Sequence, residues 1–164
     1  RRSSCWKAPV RVISSHEDLR ALLGQSLGPG KWLRIDENQV RLFDLSLQRR
    51  RFGSCPAGGD PSASSAGAAM IDGALLLALL GRFRSSIEGL SFDCPSRMNI
   101  FYGFDRVRFL RPVPVATVLR LHLRIVEARM VEPETIHVVY RHRLEPREGG
   151  TALLADVINR IYVP

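Results

Sequence analysis

The stretch from residue 68 to residue 83 constrains the fold most, because it is apolar on almost every side. A helix without a polar face is expected to be buried. Four segments with strand-like patterns follow it, over residues 98–110, 117–125, 135–144 and 151–163. The second of them shows apolar residues alternating with polar ones, as in an antiparallel strand with one solvent-exposed face. Its apolar residues are Leu119, Leu121, Leu123 and Ile125. We therefore predict an α+β fold in which a long antiparallel sheet wraps around a buried central helix.

The chain has the size and composition of one globular domain. Its 164 residues are 45% hydrophobic and 24% charged, enough for one core and too few for two. We predict a single domain over residues 1–164. The longest apolar run, residues 74–80, is far below the roughly 20 residues that a membrane helix needs, and residues 1–10 lack the apolar segment of a signal peptide. The expectation is a cytoplasmic protein without membrane contact.

Two further helices are predicted in the first part of the chain. Ser14 or Ser15 can cap a helix over residues 16–23, and Asp36 can cap a second helix from residue 37 to about residue 49. Serine and aspartate are favoured at this position because their side-chain oxygens accept hydrogen bonds from the free N–H groups of the first helical turn.

Several short motifs, in the order of the chain, resemble those of one enzyme family. They are Gly28-x-x-x-Trp32, residues 37–43, Ile71-Asp72-Gly73, Tyr102-Gly103, Val107-Arg108-Phe109 and Pro112-Val113-Pro114-Val115. Together they resemble the MaoC/NodN group of hydratases and dehydratases, which act on acyl thioesters. The resemblance covers most of the chain and implies a hot-dog fold. It also implies a homodimer that forms through the sheets, with sites at the interface.

The catalytic pair of that group is missing from this sequence. The group carries an Asp and, five residues later, a His, after a Phe-Ala motif; counted from Phe43, these places fall on Arg49 and Ser54. The alignment needs one extra residue before Gly73, so either Ser54 or Cys55 occupies the place of the His. Arginine is permanently cationic and serine has no pKa near neutrality, so neither acts as a base. Loss of such a pair typically lowers the rate about 10²–10⁴-fold, so hydratase turnover is expected to be weak.

Asp72 stands where the resemblance places the His of an Ala-His-Gly helix start. One interpretation is that Asp72 caps the helix; the other is that its carboxylate acts in the old pocket as a base or a hydrogen-bond acceptor. We take Asp72, Ser54 and Tyr102 as candidate catalytic residues. The candidate substrate-binding residues are Gly73, Arg49, Cys55, Met70 and Leu76. The resemblance implies that Gly73 begins the helix whose N–H groups polarise a thioester carbonyl.

The sequence predicts neither a metal site nor a cofactor. The three cysteines have no metal-ligand spacing, and an odd number of them supports no disulfide framework. His137 and His142 have opposite parity on one predicted strand and cannot share a face.

The net charge of +8 favours acidic partners. CoA phosphates and an acidic acyl carrier protein are the expected candidates, and a solvated basic surface without a specific partner is the alternative. Nucleic acid is not expected, because no recognition motif or aromatic-interleaved basic platform is visible.

These observations predict a dehydratase-like protein that is now a biosynthetic enzyme of cyclase or lyase type. Its substrate would be a polyketide or another small molecule derived from an acyl thioester, and folding such a chain into a reactive conformation works largely by proximity. Two alternatives remain open: a non-catalytic subunit that pairs with an intact hydratase, and a binding module for CoA or an acyl carrier.

Overall fold

A five-stranded antiparallel sheet dominates the computed structural model, which describes residues 11–48 and 69–164. The strands are β1 (Arg11–Ile13), β2 (Leu33–Arg34), β3 (Leu90–Phe92), β4 (Met98–Phe109), β5 (Val118–Glu132), β6 (Thr135–Pro146) and β7 (Leu153–Tyr162). The helices are α1 (His16–Ala21), α2 (Glu37–Ser46), α3 (Gly73–Ala78) and α4 (Leu80–Ser85). The five-stranded sheet has the order β2-β5-β6-β7-β4, and β1 and β3 form a separate two-stranded parallel sheet.

The faces of the sheet are set by the alternation in β5. Leu119, Leu121, Leu123 and Ile125 are at most 1% exposed, as the sequence predicted. They belong to the same core as Leu75, Leu76, Leu80 and Phe83 of helices α3 and α4. We call this side of the sheet the inner face and the side away from the helices the outer face. The predicted α+β arrangement of a long antiparallel sheet over a central helix is confirmed.

The central helix is shorter and less buried than predicted. Residues 69–71 are extended rather than helical, and Leu79 separates α3 from α4. The side facing away from the sheet carries Ala74, Ala78 and Gly81, all of them exposed. The sequence looked apolar all round because alanine and glycine count as apolar, yet such small side chains lose little by contact with water.

Both predicted N-caps of the first two helices are present. The Ser15 hydroxyl accepts a hydrogen bond from the Asp18 N–H at 3.1 Å, and the Asp36 carboxylate accepts one from the Gln39 N–H at 2.9 Å. Helix α2 ends at Ser46 instead of about residue 49, because Gln48 has a left-handed φ of 51°. Strands β1 and β3 were not predicted, since three residues are too few to show a period.

None of the helices in the described part of the chain is long and apolar enough to cross a membrane.

Candidate functional site

The segment before α3 is held in place by the proline-valine motif. The Ile71 N–H donates to the Val113 carbonyl at 2.8 Å, and the Val115 N–H donates to the Ala69 carbonyl at 2.7 Å. Met70 and Pro114 are bridged in an antiparallel sense between these two bonds. The motif therefore fixes where the helix begins, and this is a physical reason for the two motifs to occur together.

Asp72 caps α3. Its Oδ1 accepts a hydrogen bond from the Ala74 N–H at 2.7 Å, and its backbone is extended. This satisfies one of the N–H groups that a helix start leaves without a partner. The predicted cap by Asp72 is therefore present, and the residue is half-buried.

Gly73 lies directly against the ring of Phe109. A Cβ atom added at Gly73 would stand 2.7 Å from Cε1 and 2.8 Å from Cζ of that ring. Such distances are well inside van der Waals contact, so a larger residue requires the ring to move. The structure thus gives the glycine of the Asp72-Gly73 pair a packing role, and it joins the Val-Arg-Phe motif to the helix start.

The inner face of β4 carries exposed aromatic side chains on both sides of a register shift. Phe104 stands opposite Val157 and Phe101 opposite Asn159, both on the inner face of β7, while the shift between Phe101 and Gly103 leaves Tyr102 unpaired. The rings of Phe101 and Phe104 meet edge to face, with centroids 4.7 Å apart. Phe109, opposite Leu153, also lies on the inner face. The exposed fraction is 56% for Phe101, 38% for Phe104 and 51% for Phe109. The strand therefore presents an apolar strip that leads to the start of α3.

Tyr102 does not belong to this strip. Its ring packs against the Arg160 guanidinium, 4.0 Å from the ring centroid, and it is 54% exposed. Six residues of extended strand separate Tyr102 from Phe109, a path of about 20 Å. Within one chain the structure therefore does not bring Tyr102 together with Asp72.

The other predicted site residues fall into three groups. Met70 is 40% exposed beside Pro114, whereas Leu76 is 2% exposed within the core and lines no open surface. Arg49, Ser54 and Cys55, with most of the predicted loop over residues 53–69, lie outside the described residues. The sequence did not point to Phe101 and Phe104 as site residues, because the face they occupy depends on the register shift in β4.

The described part of the molecule has an open groove beside the proline-valine motif and another at the start of α1. One of about 350 Å³ is lined by Arg111, Pro112, Val113, Pro114, Thr117, Pro146 and Glu148, and it adjoins the segment before α3. The other, of about 430 Å³, lies at the start of α1 and includes Cys94, a free thiol whose pKa is raised by burial and by the nearby Asp18. A raised pKa keeps the thiol protonated and therefore a poor nucleophile.

Comparison with known proteins supplies the family. A scan against models of known protein families finds no match. The chain is 33% identical over 147 residues to nodulation protein N of Rhizobium meliloti (strain 1021), covering 88% of this chain and 89% of that protein. It is 29% identical over 117 residues to the 3-hydroxyacyl-thioester dehydratase Z of Mycobacterium tuberculosis (strain ATCC 25618 / H37Rv), covering 68% of this chain and 71% of that protein.

A solved structure supports the fold. The monoamine oxidase regulatory protein from Archaeoglobus fulgius superposes with a TM-score of 0.72 and 21% identity, over 96% of this chain and 99% of that one. The architecture described above is accordingly the hot-dog fold that the sequence motifs implied. Because the chain is 33% identical to nodulation protein N over 88% of its own length, it belongs to the MaoC/NodN-like family of hot-dog proteins.

Proposed function

We propose that this protein binds a small molecule derived from an acyl thioester or a polyketide beside the start of α3, and that it catalyses a ring-forming or elimination step. The observation that carries the proposal is the exposed apolar strip of Phe101, Phe104 and Phe109, which ends at the Asp72-Gly73 helix start. An apolar surface with a few convergent polar groups is the usual make-up of a small-molecule site. The relative that dehydrates 3-hydroxyacyl thioesters supports the substrate class.

A ring-forming step suits a site without the Asp/His pair. In hydration, the oxygen of water adds to the β-carbon of an unsaturated thioester and a proton reaches the α-carbon. When a hydroxyl of the same substrate takes the place of water, a C–O bond closes a ring and the hydroxyl proton ends on the α-carbon, with no other reactant. Holding the two groups together supplies much of the rate, since well-oriented intramolecular reactions have large effective molarities. Asp72 would accept a hydrogen bond from the attacking hydroxyl.

Replacing Asp72 with Asn separates the capping role from the chemical role. Asparagine caps helices about as well as aspartate, so Asp72→Asn is expected to keep the melting temperature of the wild type. Turnover of a panel of unsaturated and 3-hydroxyacyl thioesters, with and without an internal hydroxyl, is expected to fall about tenfold, as for loss of a hydrogen bond to a charged group. The matched control is Asp36→Asn, the same change at the cap of α2. Equal turnover in both variants would restrict Asp72 to capping.

Strand β4 also supports a homodimer. Among the described residues it is an edge strand with one unpaired side. Its exposed large apolar residues, with the one that follows it, are Met98, Phe101, Tyr102, Phe104, Phe109 and Leu110. An apolar edge of this length is expected to pair with another chain. We therefore propose a dimer of two copies that meet along β4.

A charge placed on this edge is expected to separate the dimer. Light scattering should give about twice the 18.4 kDa chain mass for the wild type and the single-chain mass for Phe101→Lys. Leu42→Lys is the matched control, because Leu42 is 52% exposed on α2 and Phe101 is 56% exposed on β4. A wild-type monomer, or a dimer that survives Phe101→Lys, would contradict pairing along β4.

The same exposed edge favours a second candidate function, that of a non-catalytic subunit of an intact hydratase. Native mass spectrometry of the protein after incubation with extracts of the producing organism distinguishes the two. A bound cyclic or unsaturated small molecule supports the enzyme. A complex with another hot-dog chain and an empty site supports the subunit.

A further inference from the structure

The outer face of the sheet carries two cross-strand rows of residues that together include four arginines. In the first row His122, Arg143, Leu154 and Arg108 stand opposite one another on β5, β6, β7 and β4. In the second row the residues are Arg124, Arg141, Asp156 and Asp105 in the same strand order. Directly opposite residues on neighbouring strands share a face. All eight therefore lie on the side of the sheet away from α3 and α4.

Only some of these arginines are neutralised. The Arg141 guanidinium makes two hydrogen bonds of 2.8 Å to the Asp156 carboxylate. Beside the first row, the Arg120 guanidinium donates to the Glu145 carboxylate at 2.8 Å. Arg108, Arg124 and Arg143 form no ion pair with any carboxylate among residues 11–48 and 69–164. We call these three residues the arginine cluster.

The pairing of the strands places like charges together. Arg124 stands directly opposite Arg141, and Arg143 lies two residues further along the same strand as Arg141. Like charges in such positions destabilise a sheet. An anionic surface laid over the arginine cluster would relieve this repulsion, so its charge is complementary to an acidic partner.

The spacing of the cluster favours a protein over a single phosphate. Arg124 and Arg143 are diagonal neighbours, about 7–8 Å apart at their Cα atoms, and Arg108 lies two strands from Arg143, about 10 Å away. One phosphate cannot contact all three, whereas spaced carboxylates on a protein surface can. Nucleic acid fits less well, because single strands bind by base stacking on free aromatic rings. On this face the Arg120 and Arg160 guanidinium groups already stack on the Trp32 and Tyr102 rings, at 4.5 and 4.0 Å from the ring centroids.

We infer that the arginine cluster is the docking surface for an acidic acyl carrier protein. This rests on the proposed function in one respect, since a thioester substrate is what makes a carrier the relevant acidic protein. The surface itself lies on the opposite side of the sheet from Asp72 and Gly73, so docking and turnover can be measured separately.

The test uses a carrier protein without its phosphopantetheine arm, so that only the surfaces meet. Calorimetric titration is expected to show binding at about 50 mM salt that weakens at about 300 mM, because exposed charges are screened. Arg124→Glu/Arg143→Glu is expected to raise the Kd about tenfold or more, because each change removes an attraction and adds a repulsion. Arg124→Gln/Arg143→Gln is expected to raise the Kd by a smaller factor. It is also less disruptive to folding at the half-buried position 143. Melting temperatures of both variants show whether they fold.

The control is Arg20→Glu/Arg82→Glu, the same charge change at two exposed helical positions on α1 and α4. Equal weakening in the control would mean that net charge alone attracts the carrier, and it would overturn the docking surface. Absence of binding by the wild type would also overturn it. So would a thymidine oligonucleotide that binds the wild type more tightly than the carrier does and loses this binding in Arg124→Glu/Arg143→Glu. Turnover of a CoA thioester by Arg124→Glu/Arg143→Glu should match the wild type. If that turnover is absent from both proteins, the proposed function fails and the docking result still stands.

Discussion

Replacing Asp156 with Ala is expected to lower the free energy of unfolding by about 3 kcal/mol. The Asp156 side chain is 5% exposed and binds the Arg141 guanidinium through both carboxylate oxygens, with Arg106 at 4.0 Å on its other side. The pKa of Arg141 is raised by this hydrogen bonding. Without the carboxylate, Arg141 keeps its charge directly opposite Arg124 and has no counter-ion. Loss of one partner of a buried pair typically costs about 3–5 kcal/mol, and the low end applies here because the Arg141 side chain is 36% exposed and water solvates part of its charge.

Asp105 provides the matched control for this experiment. It stands directly opposite Asp156 on β4, but it is exposed, and within residues 11–48 and 69–164 its side chain accepts a hydrogen bond only from the Arg106 N–H. Asp105→Ala is expected to change the free energy of unfolding by less than about 1 kcal/mol. Urea unfolding of the two variants measures both effects. Similar values for both would mean that burial of the Asp156–Arg141 pair does not decide the stability of this part of the sheet.

The elements of this fold were predictable where the determining interactions are local. Ser15, Asp36 and Asp72 each accept hydrogen bonds from backbone N–H groups within three residues, so the caps can be recognised in the sequence. The alternation from Leu119 to Ile125 likewise identifies the buried face of one strand from the sequence of that strand alone. Both kinds of signal need only a few neighbouring residues, and both predictions were confirmed.

The candidate site was less predictable because distant segments form it. Contact of Gly73 with Phe109 joins residues that are far apart in the sequence, and the face on which Phe101 and Phe104 lie depends on a register shift in β4. A shift of one residue exchanges the two faces of a strand. The sequence therefore suggested Tyr102 and Leu76, although one lies on the outer face and the other in the core.

The second large effect expected is a loss of stability in mild acid, caused by His142. This residue is 2% exposed on the inner face of β6, and its Nδ1 lies 3.0 Å from the Tyr140 carbonyl, which accepts the hydrogen bond. Burial lowers the pKa of His142 from 6.5 to about 4, against the opposing effect of this hydrogen bond. The nearby Arg84 guanidinium lowers the pKa further.

The direction of the pH dependence follows from this lowered pKa. The unfolded chain takes up a proton at His142 below pH 6.5, whereas the folded protein does so only near pH 4. Stability is therefore complete above about pH 6.5 and falls as the pH drops towards 4. At about 1.4 kcal/mol per pKa unit, the loss reaches about 3 kcal/mol.

Urea unfolding between about pH 7 and pH 4.5 isolates this effect from that of the carboxylates. Glu145, whose pKa is lowered to about 2 by hydrogen bonds from His122 and Arg120, loses its contribution only below its ordinary value of 4.5. In His142→Asn the slope of unfolding free energy against pH is expected to become much smaller. A residual slope is expected from His137, whose pKa is also lowered by burial. A slope that stays at the wild-type value in His142→Asn would show that protonation of His142 is not what destabilises the fold, because the variant has no imidazole at that position to protonate.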